Sequence, residues 1–144
     1  MLEGRYSAEL HVGLDVAYDT VADVEGYPRW QSLVDHVDVL ERDAEGRAVL
    51  ASTALDAGIA TLRLVLRYAY DAPHEVRFEL ERGDVRELRG SWSLRGDDEA
   101  TTATYHVEVD PGRRLGWLVR GGVADRLRAK VVDGTVEDLR RHLG

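Results

Sequence analysis

Apolar and polar residues alternate along most of this chain, which predicts a fold rich in β-strands. In the first such stretch Tyr6, Ala8, Leu10 and Val12 alternate with polar residues, and Gly13 ends the pattern. A period of two is typical of a strand with one face buried. The chain is therefore predicted to open with a strand.

Two short helices are predicted next. From Asp15, a candidate N-cap, to Val24 the apolar residues repeat at helical spacing, and Gly26 and Pro28 then interrupt them. Proline pushes the residue before it toward extended geometry. We therefore expect a corner at residues 27–30 and a second short helix to about Leu33.

Six further strands are predicted between Val34 and Val109, separated by short turns rich in Gly, Asp and Pro. Turns this short require antiparallel neighbours. The alternation assigns these residues to the inner face of the sheet: Leu62, Leu64, Leu66, Tyr68 and Tyr70; Val76, Phe78 and Leu80; Arg86, Leu88, Gly90, Trp92 and Leu94; Ala103, Tyr105, Val107 and Val109.

The last stretch, residues 123–143, has the pattern of one long amphipathic helix. Its apolar stripe consists of Ala124, Leu127, Val131, Val132, Val136, Leu139 and Leu143, and the opposite face is charged. An antiparallel sheet of this size must bury one face, and this stripe can cover it. We predict a single α+β domain over residues 1–144, a curved antiparallel sheet of about seven strands wrapped around a long C-terminal helix, with a ligand cavity between them.

Composition excludes several classes of function. The 144 residues are 44% hydrophobic and carry a formal net charge of −8, which argues against a protein that binds nucleic acid through phosphates. There is no cysteine, and no two of the five histidines have the i, i+4 spacing of a helical metal site, so neither metal nor cofactor is predicted. No stretch of the sequence has the roughly 18 consecutive apolar residues that a membrane-spanning helix needs. We expect a cytoplasmic protein without stable membrane insertion, either monomer or homodimer.

Two stretches carry a family resemblance. Residues 21–40, with Asp23-Val24 and Tyr27-Pro28, and residues 83–94, with Gly90 and Trp92, are similar to START-like helix-grip proteins, most of all to the branch of polyketide cyclase/dehydrase and coenzyme-Q-binding proteins. The resemblance covers essentially the whole chain. It implies a helix-grip fold whose hydrophobic cavity receives lipids, isoprenoid quinones or polyketides.

This resemblance and the inward pattern together predict the ligand-binding residues. They are Tyr27, Trp30, Val34, Leu64, Leu66, Tyr68, Phe78, Arg86, Trp92, Tyr105, Trp117, Leu127, Val131 and Gly134. Trp117 is included because residues 111–122, rich in Gly and Leu, are interpreted as a partly apolar flap over the cavity mouth. Gly134 is included because a glycine inside a helix costs about 1 kcal/mol, which calls for close sheet packing or room for a ligand.

The candidate chemistry leaves three functions open. The first is binding or carriage of a hydrophobic small molecule. The second is a polyketide cyclase or dehydratase with Tyr68, Tyr105 and Arg86 as proton-transfer groups, although the Tyr and Arg that the resemblance implies for aromatase/cyclases fall at Val34 and Tyr68. The third is an interaction protein whose cavity has collapsed. The five histidines and the outward carboxylates are assigned structural or solvated roles.

Overall fold

The fold is described from a computed structural model, which covers residues 1–56, 58 and 61–144. The elements in chain order are β1 (Leu2–Leu10), α1 (Leu14–Ala22), a 3-10 helix (Val24–Arg29), β2 (Val34–Arg42), β3 (Ala48–Asp56), β4 (Thr61–Asp71), β5 (Glu75–Gly83), β6 (Glu87–Gly96), β7 (Thr101–Asp110), a second 3-10 helix (Gly116–Val119), and a C-terminal helix made of α2 (Gly121–Arg128), a π turn (Ala129–Asp133) and α3 (Gly134–Leu143). The predicted order of one strand, two short helices, six strands and a long helix is confirmed.

The strands form one antiparallel sheet in the order β1-β7-β6-β5-β4-β3-β2. Each strand from β2 to β7 pairs with its neighbour in sequence, as the short turns predicted. The first strand instead pairs with the last, with Leu2 opposite Val109 and Leu10 opposite Thr101. The C-terminal helix contacts both of these strands, so this long-range pairing fixes the part of the sheet on which the helix lies.

The inner face of the sheet follows the predicted alternation. Leu64, Leu66 and Tyr68 on β4 are buried, and Trp92 and Leu94 on β6 are buried too. The stripe of the C-terminal helix faces them, with Val132, Val136 and Leu139 completely buried. Burial of each such side chain is worth roughly 1.5 to 3 kcal/mol. The interface between sheet and helix therefore forms part of the hydrophobic core, which also includes Ala17 and Val21 of α1.

The C-terminal helix is not a regular α-helix throughout. Between Ala129 and Asp133 it widens into a π turn, and the Thr135 hydroxyl donates to the Val131 carbonyl oxygen at 2.6 Å. The strand opposite supplies a glycine here, because a Cβ on Gly4 would lie only 2.7 Å from Val132 Cγ2. The helix and β1 thus approach closely beside the π turn.

Two local predictions were wrong. The second short helix spans Val24–Arg29 and contains Pro28, whereas it was expected after that proline. The 3-10 geometry accommodates proline because its backbone angle φ is close to the fixed value of the proline ring. Gly13, and not Asp15, is the N-cap of α1, and Asp15 lies in the first turn.

Candidate functional site

Two small cavities lie between the sheet and the C-terminal helix. The first, which we call the aromatic chamber, has a volume of about 60 Å³. It is lined by Tyr27, Gln31, Leu33, Val34, Thr53, Leu55, Leu64, Leu66, Tyr68, Phe78, Leu88, Trp92, Tyr105, Val107 and Val131. Strands β2 to β7 supply most of this wall, and the first 3-10 helix and the segment after it supply most of the rest.

The second cavity, the aliphatic chamber, has a volume of about 50 Å³. Its walls are entirely apolar and consist of Leu2, Leu33, Leu55, Leu62, Leu64, Val85, Leu88, Val107, Val109, Pro111, Leu118, Val119, Leu127 and Val131. Six residues, among them Leu64 and Val131, line both chambers. The two chambers are therefore adjacent, with Val131 of the π turn at their boundary.

Aromatic rings form a continuous chain along the aromatic chamber. Trp92 packs against Tyr105 with ring centroids 4.6 Å apart, and Tyr105 stacks on Phe78 at 5.9 Å. On the other side Trp30 lies 6.1 Å from Trp92 and 5.6 Å from Tyr27. Such offset and edge-to-face pairs add about 0.5 to 1.5 kcal/mol each beyond burial. The chain of rings makes this wall stiff.

The hydroxyls of Thr53, Tyr68 and Tyr105 lie at the aromatic chamber and form no hydrogen bond to another described residue. Within the described part of the chain, Thr53 Oγ1 is the one buried side-chain oxygen or nitrogen that forms no hydrogen bond. No hydrogen bond to a described residue involves the hydroxyl of Tyr68 or Tyr105 either. Tyr27, in contrast, donates its hydroxyl to the Val21 carbonyl oxygen. Buried polar groups are normally paired, so these hydroxyls are available to a ligand.

Burial keeps these phenols neutral. Desolvation raises the pKa of Tyr68 and of Tyr105 far above the ordinary value of 10.0. The neighbouring Thr53 hydroxyl lowers the pKa of Tyr68, but burial has the larger effect, and the two oxygens do not reach hydrogen-bond geometry. The phenols can therefore donate a hydrogen bond near neutral pH but cannot accept a proton as phenolates.

The walls of the two chambers, as far as the structure describes them, carry no acidic or basic side chain. Among residues 1–56, 58 and 61–144, no Asp, Glu, His, Lys or Arg lines either chamber. Larger hollows of about 330 to 360 Å³ lie on the outer surface, but about half of their lining residues are ion-paired side chains, such as Arg77 with Glu75 and Arg89 with Glu108. The interior is therefore the better candidate for an apolar ligand.

One buried carboxylate fixes the chamber wall to the C-terminal helix. Asp138, 6% exposed, accepts hydrogen bonds at 2.9 Å from both the backbone N–H and the hydroxyl of Ser32. Arg141, one turn further along α3, pairs with the same side chain. The contact holds Gln31 and Leu33, which flank Ser32, against the chambers.

The structure brings most of the predicted site residues together. Those that line the aromatic chamber are Tyr27, Val34, Leu64, Leu66, Tyr68, Phe78, Trp92, Tyr105 and Val131. Leu127 lines the aliphatic chamber. Trp30 is half-buried behind the wall, between Trp92 and the His142 ring.

Three predicted residues lie elsewhere. The alternation breaks before β6, so Val85 is buried while Arg86 is exposed and 3.8 Å from Asp110. Trp117 is 45% exposed, because its neighbour Leu118 is the residue that packs inward. A Cβ on Gly134 would meet only the Ala129 carbonyl oxygen, at 3.4 Å, so this glycine neither lines a chamber nor packs on the sheet.

The sequence pattern missed two polar residues of the wall, Gln31 and Thr53. Thr53 lies on β3, where the alternation is too weak to assign a buried face, and Gln31 lies in the irregular segment before β2. The sole signal for Thr53 was its position on a strand beside the clearly patterned β4, opposite Leu64.

The family is established by comparison with known proteins. The family model described as polyketide cyclase / dehydrase and lipid transport matches residues 10–136, and the chain belongs to this family. The predicted relationship to polyketide cyclase/dehydrase proteins is thereby confirmed, and the predicted helix-grip fold is confirmed by the fold of similar solved structures. No curated protein sequence matches the chain.

Solved structures agree with this assignment at the level of the fold. A START superfamily protein from Mycobacterium smegmatis is similar with a TM-score of 0.85 and 16% identity, over 98% of this chain and 96% of that chain. A protein from Thermus thermophilus gives a TM-score of 0.84 and 18% identity, over 98% and 96% of the two chains. An aromatase/cyclase from Streptomyces sp. R1128 gives 0.66 and 17% identity, over 95% and 85%.

Proposed function

We propose that this protein binds a small hydrophobic molecule in the adjoining aromatic and aliphatic chambers, and carries or presents it without transforming it. The observation that carries the proposal is the composition of the walls. They are uncharged and mostly apolar, and the few polar groups, among them the hydroxyls of Thr53, Tyr68 and Tyr105, are gathered in one of the two chambers. Ligand pockets typically combine apolar walls with a few convergent polar groups.

The distribution of polarity suggests how such a ligand lies. An oxygen-bearing end, such as a carbonyl or hydroxyl, would accept from the phenols of Tyr68 and Tyr105, which burial keeps protonated. The apolar remainder would extend past Val131 toward Leu127 and Leu118 of the aliphatic chamber. A lipid, an isoprenoid quinone and a polyketide all have this combination of a polar end and an apolar body.

The size of the chambers requires that the interior widens on binding. Pockets for ligands of drug size have volumes of about 300 to 1,000 Å³, whereas the chambers measure about 60 and 50 Å³. The C-terminal helix is the wall that can move, since among the described residues it is hydrogen-bonded to the sheet through its side chains, such as Glu137 to Tyr6 and Arg128 to the Glu3 carbonyl oxygen, and not by a backbone ladder. It also contains the π turn at Val131, and π turns occur frequently at functional sites.

The test is binding of a neutral apolar fluorophore, N-phenyl-1-naphthylamine, combined with native mass spectrometry of the purified protein for retained apolar molecules. Val131→Phe should abolish fluorophore binding, because the added ring enters the boundary between the chambers. Val16→Phe makes the same change at a 51% exposed position and should leave binding intact. If the parent protein binds no apolar molecule in either assay, the proposal is wrong and a collapsed interaction protein becomes the better interpretation.

Cyclase or dehydratase activity is the second candidate, favoured by the phenols of Tyr68 and Tyr105 at the aromatic chamber and by an aromatase/cyclase among similar structures. Tyr68→Phe and Tyr105→Phe separate the two functions. A carrier should lose at most about 1.5 kcal/mol of affinity with each hydroxyl. A catalytic acid should lose about 10² to 10⁴ in turnover of a polyketide substrate, with binding unchanged.

A further inference from the structure

A cluster of three potential metal ligands lies on the outer face of the sheet, where β1 pairs with β7. Glu3 and Glu108 are directly opposite each other in the ladder, and His106 is two residues from Glu108 on the same strand. Side chains two apart on a strand share one face. The neighbouring Tyr105 and Val107 point inward to the aromatic chamber, so the cluster is separated from the chambers by the thickness of the sheet.

The distances suit one ion. His106 Nε2 lies 3.3 Å from Glu3 Oε1 and 3.8 Å from Glu108 Oε1, and one ligand atom from each residue falls within 4.8 Å of the others. Zinc binds imidazole nitrogen and carboxylate oxygen at about 2.0 to 2.2 Å, which sets ligand atoms of a tetrahedral site about 3.4 Å apart. An ion between the three side chains would require shifts of well under an ångström at two of the three edges.

One carboxylate of the cluster is free of a Lys or Arg partner among the described residues. Within the described residues, Glu3 has no Lys or Arg nitrogen within 4 Å of its carboxylate, and its ion-pair partner is His106. Glu108 uses its other oxygen, Oε2, to accept from Arg89 Nε at 2.9 Å. Arg5, the ladder neighbour of His106, forms no ion pair with any of the three in this part of the chain.

Arg89 orients one of the three potential ligands, because it donates a hydrogen bond to Glu108 from outside the cluster. A carboxylate that ligates a metal is usually oriented by a second hydrogen bond, and the bond from Arg89 leaves Glu108 Oε1 directed toward His106. His106 and Glu108 are about one-fifth exposed, with side-chain exposures of 21% and 22%, while Glu3 is 62% exposed. Two of the ligands are thus held in place, and the third can close on the ion.

We propose that Glu3, His106 and Glu108 form a binding site for a divalent transition metal of the zinc class. Imidazole is a poor ligand for Mg²⁺ and Ca²⁺ and a good one for Zn²⁺ and Co²⁺. Three protein ligands leave a fourth position for water, on the side of the surface groove that His106 and Glu108 border. A metal here joins β1 to β7 near the start of the chain and stabilises the pairing of the first strand with the last.

The sequence spacing could not reveal this site. Glu3 and His106 are separated by 103 positions, and only the pairing of the first strand with the last brings them together.

The test is titration of the tag-free, chelator-treated full chain with Zn²⁺ by isothermal calorimetry, with Co²⁺ absorption as a report of ligand geometry. We expect one saturable site and a higher melting temperature with Zn²⁺. Glu3→Gln and His106→Ala should each weaken zinc binding at least about tenfold and remove the tetrahedral Co²⁺ bands. Glu3→Gln keeps the shape of an exposed side chain, so circular dichroism should show the parent fold.

His36→Ala is the matched control, because His36 is an exposed strand histidine that pairs with a single carboxylate, Asp38, at 3.0 Å. It should leave zinc binding unchanged. The proposal is overturned if the parent protein shows no saturable zinc binding below about 1 mM, if Glu3→Gln or His106→Ala retains the parent affinity, or if His36→Ala weakens binding as much as His106→Ala does.

Discussion

Thr53 and Thr101 are buried strand residues that differ in whether the hydroxyl has a partner. Thr101 Oγ1 donates to the Val12 carbonyl oxygen at 3.0 Å, whereas Thr53 Oγ1 faces the aromatic chamber and forms no hydrogen bond to another described residue. A buried polar group that forms no hydrogen bond costs about 1 to 3 kcal/mol. The unpaired hydroxyl of Thr53 therefore lowers the stability of the unliganded protein. Such a loss is expected at a binding site, where a ligand supplies the missing hydrogen bond.

We predict opposite effects for the same substitution at these two residues. Thr53→Val should raise the free energy of unfolding by about 1 kcal/mol, because it removes an unpaired hydroxyl at nearly constant shape, and Thr101→Val should lower it by about as much. Urea denaturation measures both. A loss of stability in Thr53→Val would mean that this hydroxyl is already satisfied in the unliganded protein.

The buried tyrosines predict how stability depends on pH. Desolvation raises the pKa of Tyr70 to about 12 and those of Tyr68 and Tyr105 further. In the unfolded chain tyrosine ionises near pH 10. Below that pH both states hold the proton and stability is unaffected, while above it the unfolded state loses protons first, so stability falls as pH rises.

The expected result, from urea denaturation, is a free energy of unfolding that these groups leave constant below about pH 10 and that declines above it by up to about 1.4 kcal/mol per pH unit for each such tyrosine. Tyr105→Phe should make the decline shallower. Tyrosinate absorbance should rise together with unfolding. Ionisation of Tyr68 or Tyr105 in the folded protein near pH 10 would show that the aromatic chamber is open to water.

At the scale of whole elements, two glycines differ in how closely β1 and the C-terminal helix pack around them: Gly4 on β1 and Gly134 on the helix. A Cβ on Gly4 would lie 2.7 Å from Val132 Cγ2, a distance that real contacts do not reach. A Cβ on Gly134 would lie 3.4 Å from the Ala129 carbonyl oxygen, which is ordinary contact. Close packing therefore explains Gly4 and does not explain Gly134.

Gly4→Ala should lower the free energy of unfolding by about 1 to 3 kcal/mol through overpacking. Gly134→Ala should raise it by up to about 1 kcal/mol, because alanine is the better helix former. Thermal melts of the two variants beside the parent protein provide the comparison. If Gly4→Ala proves as stable as the parent, β1 and the helix are not in the close contact described.

The same elements show what the sequence could and could not predict. In a strand such as β4, period-two alternation indicates which face is buried, so Leu64, Leu66 and Tyr68 were correctly assigned to the inner face of the sheet. The alternation fails where a strand begins, which is why Arg86 was placed inside although Val85 occupies that position. The π turn, the close approach at Gly4 and the unpaired state of Thr53 depend on contacts between distant elements, and no local pattern encodes them.

For the molecule as a whole, the volume of the interior determines how a ligand enters. The two chambers are each too small for a ring such as benzene, which occupies engineered cavities of about 150 Å³. The wall opposite the helix is a hydrogen-bonded sheet stiffened by the rings of Trp92, Tyr105 and Phe78. The C-terminal helix is anchored through Asp138 in α3 and through Arg128 at the end of α2, whose Nε donates to the Glu3 carbonyl oxygen at 2.9 Å. Opening is therefore expected at the first turn of α2, where Gly121 and Gly122 begin the helix.

We therefore predict that binding of an apolar ligand is limited by this opening. In stopped-flow mixing, the observed rate of the tryptophan signal should level off as ligand concentration rises, because the closed form must open first. The signal should come from Trp92, which lines the aromatic chamber, and from Trp30 behind it. Trp117→Phe should leave the signal unchanged, because Trp117 is 45% exposed outside the chambers. A rate that rises linearly with concentration at about 10⁵ to 10⁷ M⁻¹s⁻¹, as in docking to a preformed site, would contradict a closed interior and would imply that the chambers are already joined and open in solution.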